Sequence, residues 1–220
     1  MECPKNAAPS GRNTISLDSE RSAEEPGDLM LLAAWREGDQ RAGNRLFERH
    51  FEPVYRFFRS KLESGADDLV QETFLACTRN REVIRAESSF RTYLFCVARS
   101  KLFDALRTRM RRGTDVSLCT MADLRCSPST WIARNEDLQL LHTALERLPL
   151  ELQLVLELFY FEEQSAPAVA QILEIPEGTV RSRIRRAIDQ LRVHIANVAP
   201  NKEAARAAFD ELDELVAARP

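Results

Sequence analysis

Five arginines fall within residues 179–192 against Asp189 alone, a local charge of +4 in a 220-residue chain whose net charge is −3. Arginine presents a planar fork of donors that can bond guanine O6 and N7 together in a major groove, or clamp phosphate oxygens. The chemistry open to these side chains is recognition, with no bond made or broken. At about 100° per residue, Val180, Ile184, Ala187, Ile188 and Leu191 gather on one side of a helix. Arg181, Ser182, Arg185, Arg186 and Asp189 lie opposite, and Arg183 on the flank. A solvated surface is the ordinary reading of such a charge run. The residues just before it weigh against that reading.

Ser165 can cap a short helix whose first turn tolerates Pro167, with Val169, Ala170 and Leu173 facing inward. A break from Glu174 to Gly178 follows, and Thr179 is the expected cap of the arginine-bearing helix. A short helix, a tight turn and a longer helix make a helix-turn-helix.

A second cationic run occupies residues 101–112, where Lys101, Arg107, Arg109, Arg111 and Arg112 face Asp104 alone. Phe90, Tyr93, Phe95 and Phe103 are interleaved with it or stand just upstream. Cations mixed with rings suit unpaired nucleic acid, because bases stack on the rings while phosphates meet the charges. Tyr93 and Phe103 can equally serve as core. The segment Asp67-Asp-Leu-Val-Gln-Glu-Thr-Phe74 has the opposite character: Asp67, Asp68, Gln71 and Glu72 form an acidic stripe beside Val70 and Phe74. Taken alone, that stripe reads as helix capping by Asp67 and compensation of the helix dipole.

Catalysis finds no support. His50, His142 and His194 are scattered, and neither a nucleophile motif nor a glycine-rich phosphate loop occurs. The cysteines number five, with no CxxC and no His/Cys pair at zinc spacing, so no metal or cofactor is expected. Reduced thiols are the expectation, with a redox pair at Cys119 and Cys126 as the alternative. The N-terminal segment lacks the apolar core of a secretion signal, and no stretch reaches the roughly 18–20 apolar residues that span a bilayer. A cytoplasmic chain without membrane insertion is expected.

The elements that carry these surfaces are helices. Residues 1–27, rich in Ser, Pro, Asn, Glu and Gly, read as a disordered leader. Four amphipathic segments then follow over 28–112. One holds Leu31, Ala34 and Trp35; a second sets Leu46, Phe47, Phe51, Val54, Tyr55 and Phe58 on one inward face. A third runs from Asp67 to Asn80 and a fourth from Phe90 to Arg112. Residues 113–135 lose the period and read as a flexible linker. Helices resume over 136–198, the first carrying Leu138, Leu141, Leu145 and Leu148 and stopping at Pro149. The expected fold is all-α: two small helical domains on a flexible linker. An acidic extension, 199–220, carries a narrow stripe of Ala205, Phe209, Leu212 and Val216 and reads as a partly helical acidic tail, with docking on a basic DNA-binding face or service to a regulator as the sharper alternative.

The order of motifs is the most specific feature: an acidic DDLVQETF helix, an FRTYLFCVARSKLFDALRTRMRR helix, a linker, then LERLPLELQLVLELFY joined to a helix-turn-helix with GTVRSRIRRA. Over residues 28–198 this resembles the extracytoplasmic-function sigma factors, promoter-specificity subunits of bacterial RNA polymerase. The resemblance implies that Asp68, Gln71, Glu72 and Phe74 dock on the clamp helices of core RNA polymerase. It implies that Arg91, Phe95, Arg99, Ser100, Lys101 and Asp104 read and trap bases of the −10 element. Arg181, Ser182, Arg185 and Arg186 would read the −35 element of promoter DNA, and the linker would thread toward the polymerase active centre. An anti-sigma factor is a further partner that the resemblance brings. Three positions depart from the family pattern. Ser100 stands where many relatives carry asparagine, Tyr93 replaces a common tryptophan, and Glu174 takes the place of the usual turn glycine. A left-handed residue there costs roughly 1 kcal/mol without glycine, so a reshaped turn is the expectation. A stand-alone helix-turn-helix regulator is the rival reading, but it gives the acidic helix and the first cationic helix no task.

Overall fold

The computed structural model describes residues 26–62, 64–82, 84, 89–110 and 139–219. The expected leader, apart from its last two residues, the expected linker, and Cys3, Cys119 and Cys126 lie outside them.

The first half is built from α1 (Asp28–Arg36), α2 (Gln40–Arg59), α3 (Ala66–Arg79) and α4 (Phe90–Met110). Asp39 caps α2, accepting from the amides of Arg41 and Ala42. Helix α3 starts one residue earlier than expected. Its cap is Gly65, left-handed at φ 83°, and Asp67 sits inside the first turn, where its charge meets the helix dipole without capping it. Helix α1 is tied to α2 through Asp28, which lies 2.7 Å from Arg49 Nη1 and 2.6 Å from His50 Nε2. The His50 hydrogen bond, with help from Arg49, overcomes burial and holds the Asp28 carboxyl at about 2.

Where α1 crosses α2, the Trp35 ring lies over Gly43, and a Cβ added there would stand 2.5 Å from the indole. The ring cannot step aside, because Phe47 and Phe90 meet it edge-on at 5.3 and 6.4 Å. Alanine raises helix propensity, yet Gly43→Ala is expected to destabilise the protein by about 1–3 kcal/mol, the usual cost of overpacking a filled core. A thermal melt checks this, and an unchanged or raised midpoint would refute it.

The second half comprises α5 (Gln139–Glu146), α6 (Leu150–Leu156), α7 (Ala166–Leu173), α8 (Glu177–Val198) and α9 (Lys202–Ala217). Helix α6 runs into a π turn over Glu157–Phe161, which the sequence pattern did not foreshadow. Ser165 caps α7 as expected, accepting from the amide of Ala168. Helix α8 begins at Glu177, with Pro176 at the cap position, so Thr179 lies within the first turn and caps nothing. Between α7 and α8 the chain turns through Glu174 in the left-handed region, φ 56° and ψ 43°. The turn is not reshaped: Glu174 takes the left-handed conformation itself and bears its cost of roughly 1 kcal/mol.

Two apolar clusters organise the chain. One joins α5, α6, α8 and α9 through residues such as Leu141, Leu152, Leu191, Ile195 and Leu212. The other spans both halves, placing Leu154, Leu158, Val169, Leu173 and Val180 in the same core as Phe57, Leu94, Phe95 and Ala98. The two domains are therefore packed together, with α7 against α4. Patterning read as two modules on a linker did not anticipate that contact.

Candidate nucleic-acid and polymerase interfaces

Helix α8 presents the faces that its angular pattern predicted. Val180, Ala187 and Leu191 are buried, Ile184 and Ile188 partly so, while Arg181, Ser182, Arg185, Arg186 and Asp189 are exposed. Arg181 Nη2 lies 2.6 Å from Glu177 on its own helix. Ser182 Oγ donates to the Thr179 carbonyl at 2.9 Å. The flanking Arg183 is half-buried and pairs with Glu151 of α6 at 2.6 Å, so it fastens the helix to its domain. Arg185 and Arg186 have no carboxylate partner among the described residues. Helix α9 leaves this face open: Ala208 and Leu212 pack against α5 and α8, and Asp213 pairs with Arg192 at 2.8 Å. The extension is a helix seated on its own domain, as its plain reading as a helical tail has it, and not on the basic face that the alternative gave it.

Helix α4 carries a mixed surface. Ser100 and Asp104 are exposed, and Asp104 meets Arg107 at 3.4 Å. Lys101 Nζ lies 2.8 Å from Glu72 Oε2, tying α4 to α3. Phe95 is 0% exposed and meets Phe57 edge-on at 5.6 Å. As placed, it is a core ring with no face for a base, which corrects its expected role. The Arg91 guanidinium lies 6.0 Å from the centre of that buried ring, while Phe103, partly exposed, has the Arg99 and Arg107 guanidiniums 5.2 and 5.8 Å from its centre. Alternation of rings and cations had flagged the helix but could not say which ring faces out.

Arg91 and Arg99 reach into the second domain. Arg91 Nη2 donates to Glu162 Oε2 at 2.8 Å, and Arg99 Nη1 lies 2.9 Å from Glu174. Glu162 is 2% exposed, and burial pushes its carboxyl upward; Glu157 nearby adds to this, and Arg91 opposes it. Glu162 was not flagged from sequence and Glu174 only as a turn residue, because each acquires its ionic partner through tertiary contact.

On α3, Asp68, Gln71 and Glu72 are exposed as expected. Phe74 is only 8% exposed and packs on Phe47 at 4.8 Å. The open aromatic in its place is Phe51 of α2, 48% exposed and stacked between Tyr55 and Phe74 at 5.9 and 6.5 Å. The helical period had assigned Phe51 to the inward face. Instead it stands at the margin where α2 meets α3.

Burial pushes the Cys77 thiol up to about 12 and that of Cys96 to about 11, so neither is a ready nucleophile. Among the described residues no group of His, Cys, Asp and Glu is arranged to hold a metal ion, and no helix is long and apolar enough to cross a membrane.

Residues 46–112 match the family model of sigma-70 region 2, and residues 138–191 match that of sigma-70 region 4. The ECF RNA polymerase sigma-E factor of Escherichia coli K12 is 29% identical over 176 residues, covering 75% of this chain and 92% of the relative. That of Haemophilus influenzae is 28% identical over 181 residues, covering 77% and 95%. In fold, the chain is similar to CnrH, solved with the cytosolic domain of CnrY, at TM-score 0.58 and 23% identity over 78% of this chain and 99% of that one. It is also similar to the sigma factor RpoE of Bartonella quintana, solved with the anti-sigma factor NepR, at 0.51 and 22% over 78% and 94%. Regions 2 and 4 in the family's order, together covering more than half of the sequence, leave one assignment: the chain belongs to the extracytoplasmic-function branch of the sigma-70 family, non-catalytic factors that bind core RNA polymerase and promoter DNA to initiate transcription.

Proposed function

We propose that residues 28–112 moor the chain to core polymerase and capture the −10 element, and that residues 136–198 read the −35 element. The observation that carries this division is the face of α8 on which Arg185 and Arg186 stand exposed and unpaired by any described carboxylate. Duplex DNA supplies the phosphates and guanine edges that such a face lacks. The first domain takes unpaired bases of the non-template strand. Unstacking costs on the order of a few kcal/mol per base, so the capture surface must return about as much for melting to proceed. Arg91, Arg99, Ser100, Lys101 and Asp104 of α4 are the groups for that task, with the partly exposed Phe103, flanked by Arg99 and Arg107, in place of the buried Phe95. Asp68, Gln71 and Glu72 face the polymerase. Bond-making belongs to the polymerase alone. The setting is the cytoplasm, and an anti-sigma partner of the kind solved with the Bartonella factor belongs to the same reading.

Ser100 offers the sharpest test of the −10 assignment, because it is exposed and a hydroxyl bonds a base edge less selectively than an amide. Ser100→Asn is expected to shift base preference within the −10 element by roughly tenfold, about 1.4 kcal/mol, while leaving −35 dependence unchanged. Transcription from a promoter library randomised over the −10 element, with reconstituted holoenzyme, reads this directly. An identical preference profile for the two proteins would remove Ser100 from the site.

A further inference from the structure

Beside the shared apolar core, the contact between the two domains carries a row of ion pairs sorted by charge. Cations come from the first domain: Arg56 and Lys61 of α2 and its end, and Arg91 and Arg99 of α4. Carboxylates come from the second: Glu157 of the π turn, Glu162 just beyond it, and Glu174 of the turn before α8. Lys61 is 1% exposed and meets Glu157, while its ammonium also donates to the Phe57 carbonyl at 2.8 Å and to Ser60 Oγ at 2.7 Å. Ser60 Oγ in turn donates to Glu157 Oε1 at 3.2 Å. Glu162 accepts from Arg91 at 2.8 Å and Arg56 at 3.4 Å, and Thr92 donates to the buried Gln164 at 3.3 Å. Arg99 and Glu174 close the row.

Removing one partner of such a pair leaves the other ion buried without its counter-charge, which penalises the closed contact while each ion recovers its hydration when the contact opens. The fit is also incomplete, as Arg91 Nε is buried without a hydrogen-bond partner. Two of the four cations, Arg91 and Arg99, belong to the surface assigned to the −10 element. A carboxylate on each takes the place that a DNA phosphate or base edge would occupy.

We infer that the free chain rests in a closed form, in which Glu162 and Glu174 of the second domain act as anionic stand-ins for promoter DNA on α4 and must be displaced before −10 capture. The masking half of this inference rests on the −10 assignment above. The closure half does not.

Glu162→Gln with Glu174→Gly in the full chain tests it. Glycine relieves the left-handed turn, and glutamine keeps the shape of Glu162 without its charge. Two measurements are made: the radius of gyration by small-angle X-ray scattering, and affinity for a fluorescent single-stranded −10 oligonucleotide. The expected result is a compact parent, an expanded variant with the same helical content by circular dichroism, and oligonucleotide binding at least fivefold tighter in the variant. Equal dimensions for parent and variant, or expansion with unchanged oligonucleotide affinity, would overturn the proposal. Should the double substitution unfold the chain, Glu174→Gly alone, at an exposed side chain, is expected to tighten oligonucleotide binding about twofold; no change would count against masking. Ser100→Ala with Lys101→Ala separates the two readings, because Ser100 is exposed and Lys101 pairs with Glu72 of its own domain, so the inter-domain pairs are left in place. If oligonucleotide binding survives that change while scattering still shows closure, the −10 assignment fails and the closed form stands.

Discussion

Replacing Arg185 and Arg186 together with alanine abolishes −35-dependent transcription while leaving the helical content and melting temperature of the protein where they were. The expectation of silence in folding comes from the environment of these two side chains. Both are exposed, no described carboxylate pairs with either, and alanine is the better helix former. The expectation of a large functional loss comes from what a duplex offers them. A good bidentate base contact is worth roughly 1–3 kcal/mol, so losing two costs the complex on the order of 2–6 kcal/mol, a factor of roughly thirty or more. Arg183 is the control on the same helix. Its guanidinium is engaged by Glu151, so Arg183→Ala loosens the seat of α8 and lowers the melting temperature. Runoff transcription with reconstituted holoenzyme, on templates with and without a −35 element, separates the outcomes. Full −35 dependence in the double variant would show that another surface reads that element.

The contrast between Arg183 and its neighbours was visible in the sequence because the angular position of a residue on a helix is a local property. Every residue placed outward on α8 by angle is outward in the structure, and Arg183 falls on the flank where it was put. The missing glycine pointed instead to a reshaped turn, yet Glu174 itself takes the left-handed conformation, so residue type alone misjudged what the turn would bear. What also failed was reasoning that needed the identity of the neighbour. Phe51 and Phe95 carry the same ring on neighbouring helices, yet one is nearly half exposed and the other sealed by Phe57. The difference lies in which helix covers them, and a single helix's period holds no record of that. The domain contact is the extreme case. Lys61 and Glu157 are 96 residues apart, Arg91 and Glu162 are 71 apart, and each looks like an ordinary surface charge until the chain has folded. The same holds for the π turn, whose extra residue per turn leaves no mark in an apolar run of the type Leu-Phe-Tyr-Phe.

Polymerase attachment should fail when the acidic face of α3 is reversed, and the choice of positions follows from the same distinction. Asp68 and Gln71 are exposed with no described ion pair, so Asp68→Lys with Gln71→Ala changes the surface and nothing beneath it. Glu72 is a poor choice, because it holds Lys101 of α4 and its reversal would disturb the −10 surface as well. Phe74 is worse. Its ring is packed on Phe47, and truncating a buried phenylalanine costs about 3–5 kcal/mol of folding stability, which would mimic any binding defect. Phe51 is the aromatic to test, being open to solvent beside that acidic stripe. Placing a like charge against a cationic partner costs several kcal/mol, so Asp68→Lys/Gln71→Ala is expected to weaken binding to core enzyme by on the order of a hundredfold. Phe51→Ala is expected to do so by roughly tenfold, as an exposed ring at the edge of an interface would. Binding of the single-stranded −10 oligonucleotide, which needs no polymerase, should be the same in all three proteins. Titration of labelled protein with core enzyme measures the first effect and fluorescence anisotropy the second. If the reversed face binds core polymerase as the parent does, the mooring surface must lie elsewhere on the first domain. If the oligonucleotide is lost along with polymerase, the substitutions have damaged the fold and not the surface.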